Sequence, residues 1–281
     1  MNFDFFTFGG GQFWEDVFFY QKWRIQRNYN SKKYRLLDPW DIRRHKGSFE
    51  ECRKAFIKFI EIYEISRQHG HMVIMLHGLT DSKNIFKPLW RAVLAEGYMA
   101  AAINYPSTRK QIDAHIRQID FLLNNLEDIT EISFITKGCG GLILRKLLNY
   151  RSPWHEKIKI SRIVQISPPN QGSAFLEKLS KFAIFRWIFG PMLEEASYER
   201  AVKLPLLPKK VKAGIIFCDH PINRISQFLP KSFKKLLPVA KEADLEGVSD
   251  KIHVKNIKFN ILENKKTIDA TVNFLKRGTF K

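Results

Sequence analysis

Cysteine is scarce in this chain of 281 residues: Cys52, Cys139 and Cys218 are the only three. They lie far apart, with no CxxC pair and no metal-ligand spacing, which excludes a disulfide framework and a structural zinc module. Internal repeats and long polar or repetitive stretches are also missing, which excludes a solenoid and extensive disorder. Long uninterrupted apolar runs are missing as well. The phenylalanine-rich opening, MNFDFFTFGGGQFWEDVFFY, has no positive leading segment, and Asp4, Glu15 and Asp16 interrupt it. It reads as neither a signal peptide nor a membrane span, so a cytoplasmic protein is expected. Negative charge is in short supply. Against 47 Lys+Arg stand 28 Asp+Glu, a formal net charge of +19. Such an excess attracts anionic surfaces such as phospholipid headgroups, nucleic acid or acidic proteins, although the count alone does not say where the charges cluster. What is present in quantity is core-forming material. Hydrophobic residues make up 44% of the chain, enough over this length for one large α/β domain with a buried core.

The organisation changes near residue 66. Residues 1–66 read as an aromatic and basic arm followed by a helix, both packed on the main domain. Between positions 21 and 46 lie nine Lys and Arg residues, from Lys22 and Arg24 to Arg44 and Lys46, with Trp23, Tyr29, Tyr34 and Trp40 interleaved. Cations alternating with aromatics can stack on single-stranded nucleic acid or sit at a headgroup interface. No nucleic-acid module signature is visible, so nucleic acid is not the expected partner. Packing of the aromatics, with the cations reaching water, is preferred. Ser48 followed by Glu51 forms a capping box, and apolar residues at three-to-four spacing continue the helix to about Ile65.

From residue 67 to 281 short apolar strands alternate with amphipathic helices. Strands are expected at Met72–Leu76, Tyr98–Tyr105, Ile132–Thr136, Arg162–Ile166, Ala213–Cys218 and Ile252–Ile257, with a last helix at Thr267–Lys276. Continuously apolar strands separated by helices imply an α/β fold whose mostly parallel sheet is covered on both faces. Ligands in such sheets bind at the carboxyl ends of the strands, where the glycine-rich segments fall here. Residues 174–211, apolar and aromatic, read as an insertion of the kind that forms a cap or lid.

One strand runs directly into a glycine-rich turn and a helix: Thr136-Lys137-Gly138-Cys139-Gly140-Gly141. This is the setting of a nucleophile elbow. His77-Gly78-Leu79 ends an earlier strand, and Pro169-Asn170-Gln171-Gly172-Ser173 follows a later one. In this order the three segments resemble the lipase and esterase branch of the α/β-hydrolase superfamily. The resemblance is strong over Met72–Ser173 and rests on topology beyond it. It implies an α/β-hydrolase fold, ester or lipid substrates and no cofactor or metal. It also implies an elbow of the form Thr-His-Ser-x-Gly-Gly, so here Lys137 stands for the histidine and Gly138 for the nucleophilic serine.

Acyl transfer needs a nucleophile, a base and donors for the developing oxyanion. The donors are backbone N–H groups, expected at Cys139 and near Leu79, with His77 and Gly78 shaping that loop. The nucleophile is absent because glycine has no side chain. By the order of the family's catalytic residues, Asp219 stands where the acid belongs and Lys258 where the histidine belongs. His253 lies inside a strand, His220 adjoins Asp219, and Ser173 reads as a helix cap. Cys139 is the alternative nucleophile: a helix N-terminus and neighbouring Lys137 would both lower its pKa. It becomes the elbow only if the turn slips by one residue. The expectation is a hydrolase-fold protein without the usual serine mechanism, binding a lipid, an acyl ligand or a partner, and drawn to anionic membrane. The alternative is an acyl-ester hydrolase using Cys139.

Overall fold

A computed structural model describes residues 12–218, 240–255 and 260–281. The N-terminal region is a four-stranded antiparallel sheet in sequence order: β1 (Trp14–Tyr20), β2 (Trp23–Asn28), β3 (Tyr34–Leu37) and β4 (Arg43–Gly47). This corrects the expectation of an arm without strands. The strands escape a pattern reading because their buried face is partly polar. Half-buried strands normally alternate apolar and polar residues, whereas Glu15, Asp16, Arg24 and Gln26 are all buried here. Asp16 accepts from Arg24 at 2.5 Å, from Gln26 at 2.7 Å and from the backbone N–H of Asn104 at 2.7 Å. A buried carboxylate so fully satisfied ties the N-terminal sheet to the edge of the main sheet.

Helix α1 (Phe49–Ile62) starts at the expected capping box. The Ser48 hydroxyl accepts from Glu51 N–H, and the Glu51 carboxylate accepts from Ser48 N–H. Its Cys52 and Phe56 close a small core over Val17, Phe18, Trp23, Ile25 and Leu36. Trp23 stacks on Phe59 with ring centroids 5.2 Å apart. Of the aromatics interleaved with the cations, Trp23, Tyr29 and Tyr34 pack, whereas Trp40, at the turn between β3 and β4, is 78% exposed.

The main sheet has six strands, all parallel where paired: β5 (Gly70–Leu76), β6 (Met99–Ile103), β7 (Ile129–Lys137), β8 (Lys159–Ile166), β9 (Lys212–Phe217) and β10 (Asp250–His253). Their spatial order is β10-β9-β8-β7-β5-β6. Helices α2 (Lys87–Ala95), α3 (Ile112–Asn124), α4 (Gly140–Leu148) and the short α5 (Trp154–Lys157) connect them. One core lies on each face. Ile74, Phe134 and Ile163 join Ile116, Ile119 and Leu144 on one side; Val73, Ile135 and Val164 join Leu89, Val93 and Phe274 on the other. This two-sided burial is why the strands read as continuous apolar runs.

The expected insertion consists of four short helices, α6 (Ala174–Ser180), α7 (Ala183–Phe189), α8 (Met192–Glu195) and α9 (Tyr198–Ala201). The remaining α-helices among the described residues are α10 (Ala240–Ala243) and α11 (Lys265–Arg277). Among the described residues no helix is long and apolar enough to cross a membrane.

Candidate active site

At the carboxyl end of β7 the chain turns sharply at Gly138, φ +53°, and enters α4. The Gly138 N–H donates to Ile166 O at 3.0 Å, and the Gly141 N–H donates back to Gly138 O at 2.9 Å. The glycines of this turn differ in what they are for. A Cβ at Gly140 would lie 2.5 Å from Leu76 O and 2.7 Å from His77 O, so only glycine lets α4 come this close to β5. A Cβ at Gly138 would meet only Gly78 Cα, at an ordinary 3.7 Å. Space does not forbid a side chain there. A non-glycine residue would instead carry the backbone strain of positive φ, on the order of 1–3 kcal/mol.

The facing loop follows β5. His77 is fully buried and its ring stacks on Tyr105 at 4.0 Å. Its Nδ1 lies 2.9 Å from Gly78 O, which can only accept, so Nδ1 carries the proton. Nε2 accepts from the Tyr105 N–H, and the Tyr105 hydroxyl donates to His77 O. Burial lowers the His77 pKa to about 4, leaving a neutral ring whose partners are all structural. Nearby His115, also fully buried, is lowered to about 3, chiefly by burial and then by Lys110.

Beyond Leu79 the loop is fastened at three points. Thr80, at φ +64°, donates its N–H to Ser107 Oγ, and Gln12 Nε2 donates to Asp81 O at 2.8 Å. The third is an ion pair. Lys137 Nζ, in the position that the family's histidine would take, donates to Asp81 Oδ2 at 2.6 Å. This pair joins the elbow to the facing loop directly beside Gly138. Asp81 carries no local signal in the sequence, because its partner lies 56 positions away. The only available signal was a lysine and an acid in two loops that the fold brings together.

Cys139 is the residue before α4, but it is only 4% exposed. Burial pushes its thiol up to about 12, opposed by Lys137 and by the backbone N–H groups of Leu79 and Cys139 itself. The local features that would lower the pKa are present as expected. Desolvation outweighs them. The Leu79 and Cys139 N–H groups, expected from the resemblance to receive an oxyanion, both act on this buried thiol. Asp219, His220 and Lys258 lie outside the described residues; β9 ends at Phe217 before the first two.

The segment after β8 has structural roles. Asn170 Nδ2 donates to Gln165 Oε1 at 2.8 Å and to Ala243 O at 3.0 Å. Gly172 has φ +80°, and a Cβ there would sit 2.4 Å from the Tyr198 backbone. Ser173 caps α6 as expected, its Oγ accepting from Leu176 N–H. Arg145 of α4 is buried without a carboxylate. Its guanidinium donates to Asn170 O, Pro205 O and Leu204 O at 2.9, 3.0 and 2.6 Å, and burial lowers its pKa to about 10. It staples the end of the 174–211 insertion and the loop after β8 to α4. Among the described residues no group of three or more His, Cys, Asp or Glu side chains is placed to hold a metal ion.

Solved structures with the same architecture are numerous. Aspergillus fumigatus lipase B matches at TM-score 0.52 and 13% identity over 75% of this chain and 53% of its own. A metagenomic carboxyl esterase matches at TM-score 0.51 and 15% identity over 66% and 63%. A Listeria innocua protein matches at TM-score 0.51 and 11% identity over 74% and 94%. This is the α/β-hydrolase fold. The sequence itself matches no protein-family model and no curated protein. The N-terminal antiparallel sheet stands outside that fold's parallel sheet. Identities this low establish architecture; chemistry has to come from the site. As built, the described part of the site offers a turn with no nucleophilic atom, a protonated thiol beneath it and a cation already committed to a carboxylate.

Proposed function

We propose that this protein uses the crevice of a lipase-like fold to bind a lipid or acyl ligand and does not perform serine hydrolysis there. The observation that carries this reading is the elbow. Its backbone keeps the positive φ at Gly138, yet the two flanking side chains, Lys137 and Cys139, are an ion-paired cation and a buried thiol. The cap supports an apolar ligand. Phe175, Leu179, Phe189 and Leu193 form its core and pack against Leu79 of the facing loop. Its outer face presents Phe182, Ile184 and Trp187, the last 74% exposed, beside exposed Lys181 and Arg186. Apolar side chains flanked by cations suit the headgroup boundary of an anionic membrane, which the net charge of +19 also favours.

The test pairs binding with turnover. Titration with a fluorescent fatty acid should saturate, and unlabelled acyl chains should displace it. p-Nitrophenyl esters of several chain lengths should show no turnover beyond the background that an oxyanion hole alone supplies, up to roughly 10³–10⁴ over water. That background should be the same in Cys139→Ala. Turnover that collapses in Cys139→Ala would make the protein a cysteine hydrolase. Absence of both binding and turnover would remove the acyl ligand.

A further inference from the structure

A cavity lies away from the elbow, where the N-terminal sheet meets β6 and α2. It has a volume of about 300 Å³, within the range of small-molecule sites. Phe19, Ala100 and Ala102 contribute apolar lining, and Trp40 and Trp90 contribute indole rings. Four cations line it, Lys22, Arg24, Lys83 and Lys87, against one carboxylate, Asp41.

These charges are not equivalent. Lys83 donates to both oxygens of Asp41, at 2.5 and 2.7 Å, so that pair is satisfied. Lys22 lies over the Trp90 ring, 5.3 Å from its centroid, and neither Lys22 nor Lys87 has a carboxylate partner among the described residues. Arg24 is more telling. Its side chain is 9% exposed, and its Nη1 is bound to Asp16 and Ala102 O. Its Nε–H has no hydrogen-bond partner, the nearest carboxylate oxygen being Asp41 Oδ1 at 3.9 Å. A guanidinium whose buried Nε–H lacks an acceptor, in a residue that lines the cavity, adds positive charge that only Asp16 and the more distant Asp41 oppose.

Trp40 supplies the other half of the site. Its loop is built rather than loose. The buried carboxylate of Asp38 accepts from the N–H groups of Trp40 and Ile42, each at 2.9 Å, and pairs with Arg44 at 2.7 Å. Asp41, next in the chain, sits at φ +63° and is anchored by Lys83. So fixed a loop holding so exposed an indole over a cationic cavity presents a flat stacking surface. Phosphate needs donors and positive charge; a planar ring needs an aromatic face.

We propose that this cavity binds a phosphomonoester that carries a flat ring, of which a mononucleotide is the simplest soluble example. The ring stacks on Trp40, and the phosphate is held by Lys22 and Lys87, with the charge of the Arg24 guanidinium behind them. The proposal is independent of what the elbow does.

The test is calorimetric titration of the full chain with adenosine monophosphate, inorganic phosphate and adenosine in turn. The monophosphate should bind saturably, and each half alone should bind at least about tenfold more weakly. Trp40→Ala should weaken it about tenfold, the scale of one lost stacking contact. Lys22→Ala with Lys87→Ala should do the same and flatten the dependence on salt. Both sites are exposed, so folding is preserved, and Trp187→Ala on the cap should change nothing. A further arm uses phosphatidylcholine vesicles doped with a phosphatidylinositol phosphate, whose headgroup carries a phosphomonoester on a non-aromatic ring. Vesicle binding lost in the same variants, without binding of the monophosphate, would overturn the flat ring. Failure of the monophosphate to bind, or binding indifferent to Trp40, Lys22 and Lys87, would overturn the proposal.

Discussion

The elbow and the Trp40 cavity use the same ingredients, glycine-rich or strained turns, cations and one aspartate, to opposite ends. At the elbow the cation is spent: Lys137 is bound to Asp81, and the thiol beside it is buried and protonated. At the Trp40 cavity charge is left over: among the described residues neither Lys22 nor Lys87 has a carboxylate partner, and the Arg24 guanidinium adds to the lining of a space of about 300 Å³. A fold's ancestral crevice is the usual place to look for function. Here the unbalanced charge lies where the N-terminal sheet meets that fold. The difference teaches that a site is marked by groups still lacking partners, and that a motif's position alone does not mark one.

The comparison can be broken most forcibly by removing what holds the N-terminal sheet in place. Asp16→Ala leaves Arg24 buried without its carboxylate and frees Asn104 N–H, an expected loss of about 3–5 kcal/mol in urea unfolding. Binding at the Trp40 cavity should go with it. Acid comes next. His77 and His115 have folded pKa values of about 4 and 3, below the unfolded value near 6.5. The unfolded chain therefore binds more protons, and stability is full above about pH 6.5 and is lost as pH falls toward 4 and 3. For His77 the loss is on the order of 3 kcal/mol. Urea midpoints at pH 7.5 and 5.5 isolate the histidines from most carboxylates, and His115→Phe should shallow the slope between them.

Gly138→Ser sharpens the contrast from the other side. The hydroxyl fits, since its Cβ would clear Gly78 Cα at 3.7 Å, but the φ of +53° costs roughly 1–3 kcal/mol. Ester turnover should not appear, because the described residues place no free base beside that position. Lys137→Met removes a largely buried pair and leaves Asp81 without its cation, so about 1–3 kcal/mol should be lost. Smallest of all is Trp40→Ala, whose stability should stay within about 0.5 kcal/mol while ligand binding falls.

Much of the main domain was legible in the sequence because its signals are local. Val73, Ile74 and Met75 lie in an unbroken apolar run since helices cover both faces of β5, and Ser48 and Ser173 announce their helices within three residues. The N-terminal sheet was not legible because its inward face carries Asp16, Arg24 and Gln26, whose cost is offset by one another and by Asn104. At the site the glycine in place of serine could be read directly, as could the helix N-terminus at Cys139. The sign of the thiol's shift could not, because a sequence shows the lysine next door and not the burial that overrides it. Asp81 was invisible for the same reason: only the fold sets it beside Lys137.

The central claim is that the elbow carries no working nucleophile, and covalent trapping of the native chain tests it most directly. The full protein would be incubated with a fluorophosphonate and, separately, with iodoacetamide, then read by intact mass before and after unfolding in urea. The account predicts no fluorophosphonate adduct, and alkylation of Cys139 only once the chain is unfolded, as a buried thiol near pKa 12 requires. A single rapid, saturable adduct on native Cys139 with either reagent would contradict it.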